Sequence, residues 1–193
     1  MVFMNEWFYL FYQDFDLLSF EQQETVYRSF YNLVYKNTYY LTNDHGMTED
    51  IIQESFFKIN ANVHKYEIIN TNAWLKQITR NTALDILKKN HQLINLHGFN
   101  IDEGKIHIPE QQVEVIQQVE DKIKYELLHQ SIMSLKTDYR IVITLFYING
   151  LSYKELAALL QISEQAVSQR LARARKKLLQ QFQGRWGGSN DWS

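Results

Sequence analysis

The sequence predicts an all-α protein, built as two small helical domains joined by a flexible linker. Three observations carry that expectation. Apolar residues recur every three or four positions along most of the 193-residue chain, which is the period of an amphipathic helix. One proline and seven glycines are too few turn formers for a many-stranded β fold. Periodicity fails from Asn90 to Pro109, a stretch holding Gly98, Gly104 and the single proline. The expected organisation is an N-terminal extension (1–19), a first helical domain (20–96), a linker (97–120), a second helical domain (121–183) and a disordered tail (184–193).

The extension is rich in aromatics (Trp7, Phe8, Tyr9, Phe11, Tyr12) to which the sequence gives no role. Its apolar run from Trp7 to Tyr12 falls far short of the ~20 residues a membrane span needs. No basic stretch precedes that run, and Glu6, Asp14 and Asp16 surround it, so it is not a secretory signal. No membrane insertion of the chain's own is expected.

A helix is expected from Glu21 to Leu41, with Tyr27, Phe30, Tyr31, Tyr35 and Tyr39 at helical spacings. After the turn Thr42–Gly46, Thr48 is the expected N-cap of a second helix running to about Val63. Its apolar stripe is Ile51, Ile52, Ser55, Phe56, Ile59 and Val63. Lys65 to Asn72 reads as a loop. Asn72 is the expected cap of a third helix, Ala73 to Lys89, packing through Leu75, Ile78, Thr82 and Ile86. A further helical region is expected from Glu110 onward.

The clearest local grammar lies in 151–182. Ser152 and Glu155 have the spacing of a capping box. A short helix follows, Tyr153–Leu160, and then the turn Gln161-Ile162-Ser163 with Ile162 as its apolar plug. Ser163 caps a second helix reaching about Phe182. There Val167, Leu171, Ala174 and Leu178 lie within about 60° of one another at 100° per residue and form a buried seam. Gln165, Gln169, Ala172 and Lys176 occupy the opposite face. Ser168 and Arg173 flank it, while Arg170, Arg175 and Lys177 fan to the sides. This is the layout of a helix-turn-helix, with small and amide side chains at base-reading positions and cations around them for phosphate. The alternative is an αα-hairpin with a basic amphipathic helix.

Charge is distributed to match. The net charge is −2, but 135–182 carries eight basic and three acidic residues, a net of +5, and 1–134 carries eleven and eighteen, a net of −7. A basic module on an acidic chain suits nucleic acid at one end and another partner at the other.

Two faces stand out in the first domain. Asp50, Gln53, Glu54 and Phe57 fall at i, i+3, i+4 and i+7, an acidic and amide face with one aromatic. It reads as a protein interface or as solvated surface with Phe57 tucked into a neighbouring core. On the third helix Trp74, Gln77, Asn81 and Lys88 line one side, with Lys76 and Arg80 flanking. Such residues can stack on, hydrogen-bond and tether an unpaired base; equally, Trp74 can be core.

No cysteine is present, which excludes disulfides, a thiol nucleophile and thiolate zinc sites. The six histidines have no metal-ligand spacing, and no phosphate loop or nucleophile motif occurs. No enzyme activity, metal or other cofactor is expected.

Two stretches together resemble one family. Residues 49–58 (EDIIQESFFK) with 74–89 (WLKQITRNTALDILKK) are similar to the second region of sigma-70 factors. Residues 150–157 (GLSYKELA) with 167–178 (VSQRLARARKKL) are similar to the fourth. The short linker and small size resemble the extracytoplasmic-function (ECF) group. The resemblance implies a cytoplasmic, nucleoid-associated initiation factor that binds core RNA polymerase and directs it to promoters. It implies that Asp50, Gln53, Glu54 and Phe57 meet the β′ clamp helices. The loop before Trp74, together with Trp74, Lys76, Gln77, Arg80, Asn81 and Lys88, would capture a flipped base of the minus-10 element. Gln165, Ser168, Gln169, Arg170, Ala172, Arg173, Lys176 and Lys177 would contact the minus-35 element, with the β flap as a second polymerase contact and an anti-sigma factor as a further partner. The sequence departs from the family pattern where Leu-Pro is usual ahead of the fourth region and Leu135-Lys136 stands here, and where Ser168 and Gln169 occupy positions often held by Arg. The competing readings are a helix-turn-helix regulator with a helical dimerisation or ligand domain, and an enzyme.

Overall fold

The computed structural model describes residues 6–13, 15–65, 68–90 and 118–188. These are helical throughout, with short 310 and π turns and no strand among them. The chain divides into two compact units, Met1–Gln92 and Leu93–Ser193. The linker expected at 97–120 lies outside the described residues up to 117.

In the first unit α1 (Glu6–Tyr9) runs into 310 turns at Leu10–Tyr12 and Phe15–Leu17, then α2 (Phe20–Thr42), α3 (His45–Asn60), a 310 turn at Val63–Lys65 and α4 (Thr71–Lys89). The three long helices pack on one another. Ser19 and Gln22 close the start of α2 with a capping box, which satisfies backbone donors on both sides of the cap. At its end Asn43 takes the left-handed conformation (φ 57°) and its N–H returns to the Tyr39 carbonyl at 2.8 Å. Asn is among the few non-glycine residues that enter this region readily.

The cap of α3 is Asp44, whose carboxylate accepts from the Met47 N–H at 2.8 Å. Thr48, expected to cap, instead lies inside the helix, fully buried. Its hydroxyl donates to the Asp44 carbonyl at 2.6 Å and pairs with the Thr42 hydroxyl at 2.7 Å. With Asn43 ending α2 and a carboxylate directly behind it, the new helix starts one turn earlier than the apolar stripe suggested. Asn70 likewise replaces Asn72 as the cap of α4, accepting from the Ala73 N–H at 3.1 Å.

The stripe expected on α3 is buried as drawn: Ile51, Ile52, Ser55, Phe56, Ile59 and Val63. On α4 the inward face is rotated. Leu75, Thr79, Thr82, Ala83, Leu84 and Leu87 are buried, and Ile78 and Ile86 are only half-buried. Thr79 is tolerated inside because its hydroxyl donates to the Leu75 carbonyl at 3.0 Å, so no polar group is left unsatisfied.

The aromatic extension is part of this core. Phe8 and Phe11 are fully buried, and Leu18 nearly so. Phe56 sits among four rings, with centroids at 5.4 Å to Phe11, 5.1 Å to Phe15, 5.2 Å to Tyr27 and 5.7 Å to Phe30. Tilted and edge-to-face pairs at such distances add to the area buried. Along α2, Tyr31, Tyr35 and Tyr39 stack in turn, and Tyr39 stacks on His45 of α3 at 4.5 Å. Tyr35 and His45 are also hydrogen-bonded.

The second unit comprises α5 (Gln118–Met133), α6 (Thr137–Ile143) with a π turn at Thr144–Ile148, α7 (Tyr153–Leu160) and α8 (Glu164–Gly188). The first three pack against α8. The π turn closes with the Asn149 N–H on the Thr144 carbonyl at 3.0 Å. Gly150 follows at φ 69°, where glycine alone carries no steric cost, and reverses the chain into α7.

The Ser152–Glu155 capping box is present. α7 ends on Gln161 in the left-handed conformation (φ 57°), with its N–H on the Ala157 carbonyl. Ile162 is half-buried at the turn, and Ser163 caps α8 by accepting from the Ala166 N–H at 3.1 Å. Val167, Leu171 and Ala174 are fully buried and Leu178 half-buried.

The tail expected to be disordered from 184 is helical to Gly188; residues 189–193 lie outside the described residues. Tertiary contacts override the glycines. Trp186 stacks on Phe182 at 6.1 Å, the Lys124 ammonium sits 5.5 Å above the indole, and Arg185 reaches the Gln130 side chain at 3.4 Å. Ser134 donates to Gln181 at 2.9 Å one turn earlier.

Candidate functional site

The α3 face emerges as drawn. Asp50, Gln53 and Glu54 are exposed, and Phe57 is 63% exposed although its neighbour Phe56 is core. The reason is angular: at 100° per residue, 57 lies 100° from 56. Glu54 pairs with Lys58 at 2.7 Å, a surface i,i+4 contact of a few tenths of a kcal/mol. Lys58 also reaches the Thr82 hydroxyl of α4 at 3.4 Å. The face is therefore acidic, with one uncovered aromatic on a rigid helix.

On α4, Trp74, Gln77, Asn81 and Lys88 share one side, within about 60° by the same rotation. Gln77 is exposed. Trp74 is half-buried at the edge of the apolar core, so the base-stacking and core readings each describe part of the ring. Lys76, Arg80, Asn81 and Lys88 are half-buried. The amide oxygen of Asn81 is buried without a protein hydrogen-bond partner among the described residues, an uncommon state for a polar atom. The loop ahead of α4 carries Ile69, 80% exposed. Sequence reading passed over it because a single apolar residue in a loop has no period.

On α8, Gln165, Ser168, Lys176 and Lys177 are exposed, and Gln169, Ala172 and Arg173 are half-buried. Arg170 departs from expectation. It is 8% exposed and faces α6 near Asp138, itself buried. Burial pulls its guanidinium below the ordinary arginine range, opposed by the Asp138 charge. The wheel placed Arg170 to one side of the seam, and α6 covers that side, so this residue is removed from the DNA-facing set.

Arg175, on the other side of the seam, is engaged by aromatics. Its Nε donates to the Tyr147 hydroxyl at 2.7 Å and Nη2 to the Tyr153 hydroxyl at 3.4 Å. The guanidinium carbon stands 5.6 Å from both the Phe146 and Tyr147 ring centres, within cation–π range. Burial lowers its pKa, and the bonds from the two phenols outweigh that, so the net direction is upward.

Among the described residues no cluster of three or more His, Asp or Glu could hold a metal, and no helix is long and apolar enough to cross a membrane.

Comparison with known proteins gives this geometry its context. Residues 26–92 match the family described as Sigma-70 region 2, and residues 125–178 match Sigma-70, region 4. The chain is 28% identical over 158 residues to the ECF RNA polymerase sigma factor SigM of Bacillus subtilis, covering 80% of this chain and 91% of that protein. It is 30% identical over 149 residues to the RNA polymerase sigma factor SigZ of the same organism, covering 74% and 76%. A solved structure of the sigma factor RpoE with the anti-sigma factor NepR from Bartonella quintana aligns at TM-score 0.48 and 25% identity, over 85% of this chain and 96% of that one. With both regions present in order, and a capped helix-turn-helix in the second unit, the chain belongs to the sigma-70 family of RNA polymerase sigma factors, in its extracytoplasmic-function group.

Proposed function

We propose that the two units divide the work of promoter-specific initiation. The first docks core polymerase through Asp50, Gln53, Glu54 and Phe57 on the β′ clamp helices. Beside that face, the loop at Ile69 and the α4 side carrying Trp74, Lys76, Gln77, Arg80, Asn81 and Lys88 hold the unpaired minus-10 strand. An unpartnered amide oxygen and a partly open indole suit hydrogen bonding to, and stacking on, a base that leaves the duplex. The second unit reads the minus-35 element with Gln165, Ser168, Gln169, Ala172 and Arg173, steadied by Lys176 and Lys177 on phosphate, and meets the β flap. The protein works by binding alone, without chemistry of its own, in the cytoplasm at the nucleoid, and an anti-sigma factor restrains it.

The observation that carries this reading is the solvent side of α8. A helix fixed by a capped turn and a fully buried seam turns amides and small residues outward over its first two turns, and cations outward below them. That is the division between base contacts and phosphate contacts in a recognition helix. Run-off transcription with purified core polymerase on a genomic promoter library tests it. Discrete start sites that appear only with the protein are expected. Their absence, with core binding intact, would refute promoter reading.

A further inference from the structure

The reading of α8 leaves one cluster unused. Ser168, Ala172 and Arg175 follow one another at i, i+4 and i+7 down one edge of the helix, so Arg175 continues the DNA-facing edge. It is met there by two tyrosines from different elements: Tyr147 in the π turn, 56% exposed, and Tyr153 at the first position of α7, half-buried. Phe146 forms the floor, 4.9 Å from Tyr147 and 5.3 Å from Tyr153 between ring centres. π turns occur disproportionately at functional sites. This one places Tyr147, and Gly150 then turns the chain so that Tyr153 returns to the same guanidinium.

We infer that Tyr147, Tyr153 and Arg175 form a clamp for a backbone phosphate of duplex promoter DNA. The inference rests on the proposed promoter reading by α8. The donor inventory supports it. Both phenol oxygens accept from Arg175, so each hydroxyl keeps its own proton for another acceptor. The guanidinium has five N–H donors and spends two on the phenols. The cluster thus offers several convergent donors, one positive charge and no acceptor aimed outward, which suits an anion with several lone pairs.

Lys154 and Lys176, both exposed, adjoin it in sequence. The nearby acid, Glu155, is occupied by the α7 cap, accepting from the Ser152 N–H at 2.8 Å and its hydroxyl at 2.7 Å. With its guanidinium fixed by two phenols over an aromatic floor, the clamp is suited to a phosphate and not to a base edge. It sets the angle of α8 in the groove independently of sequence.

The test is promoter binding by holoenzyme assembled from full-length variants, measured across a salt series and with a randomised minus-35 selection. Tyr147→Phe and Tyr153→Phe keep the rings and remove the hydroxyls. Each should weaken binding about three- to ten-fold, the worth of one hydrogen bond, on every sequence alike. Arg175→Gln should also reduce the slope of log affinity against log salt by about one. Arg175→Lys should keep the slope and still lose affinity, because it retains charge without the fork. The selected motif should be unchanged in all four.

Wild-type affinity and slope in Tyr147→Phe and Arg175→Gln would overturn the clamp. So would weaker assembly with core polymerase at an unchanged salt slope, which would mark a protein contact instead. Gln169→Ala, run beside them, separates the two levels. An altered motif in Gln169→Ala with an inert Arg175 means the clamp fails and the α8 reading stands. An unaltered motif in Gln169→Ala means the α8 reading itself fails.

Discussion

Phe11→Ala should unfold the first unit far more readily than its place in an N-terminal extension suggests. The ring is fully buried and packs at 5.4 Å on Phe56, 5.7 Å on Phe8 and 5.8 Å on Trp7. Truncating a buried Phe costs about 3–5 kcal/mol. The one-turn α1 and its 310 continuation can partly collapse into the space, so the lower end applies, about 3 kcal/mol, or more than a hundred-fold in the folding equilibrium. With a urea slope of about 1–3 kcal/mol/M for small units, the midpoint should fall by roughly 1–3 M. Urea unfolding read by hydrogen exchange in α2 and α3 peptides isolates this unit from the other. Tyr9→Ala is the control: Tyr9 is 59% exposed and should shift stability by no more than about 0.5 kcal/mol. Equal midpoints for the two variants would refute the claim that residues 6–18 complete the core.

Three further outcomes are expected. Replacing Asp50 and Glu54 together with Lys should abolish capture of core polymerase in a native pull-down while the melting curve stays near wild type, since charge reversal in a complementary interface costs several kcal/mol; wild-type capture would refute the docking face. Gln161→Gly should raise stability of the second unit by about 0.5–1 kcal/mol in thermal unfolding, because Gln161 holds a left-handed φ of 57° that glycine adopts without strain. A randomised minus-35 selection should show Gln169→Ala relaxing preference at one or two base pairs, by about 1–3 kcal/mol each, and Lys176→Ala weakening all sequences alike; a motif shift with Lys176→Ala would invert the assignment of faces.

The parts of the fold legible in the sequence were those fixed by neighbours along the chain. Ser152 and Glu155 are three apart and close their box; Val167, Leu171 and Ala174 repeat at helical spacing and are buried. What escaped was set by other elements. Nothing in the period of Trp7–Tyr12 says that Phe8 and Phe11 enter the core, because the partner, Phe56, lies some 45 residues away in sequence. A helical wheel gives Arg170 an angle but not the identity of the helix at that angle. Asp44 and Thr48 both had the chemistry of a cap, and only the left-handed Asn43 between the helices decides for Asp44. For the site, spacing located the three faces, while their assignment to polymerase and promoter came from family resemblance. Tyr147, Tyr153 and Arg175 were invisible because they converge from three separate elements.

The nest around Phe56 bears on how this protein can be cut and recombined. The region 2 match begins at residue 26, and a hybrid factor spliced there would discard Phe8, Phe11, Phe15 and Leu18. The Phe56 ring would lose two of its four aromatic neighbours, and α3 would present bare hydrocarbon one position from Phe57. A transplantable version of this unit therefore begins at residue 6. Conversely, a foreign region 2 that lacks such a segment will not accept this one as a simple graft unless its residue equivalent to Phe56 is enlarged to receive it.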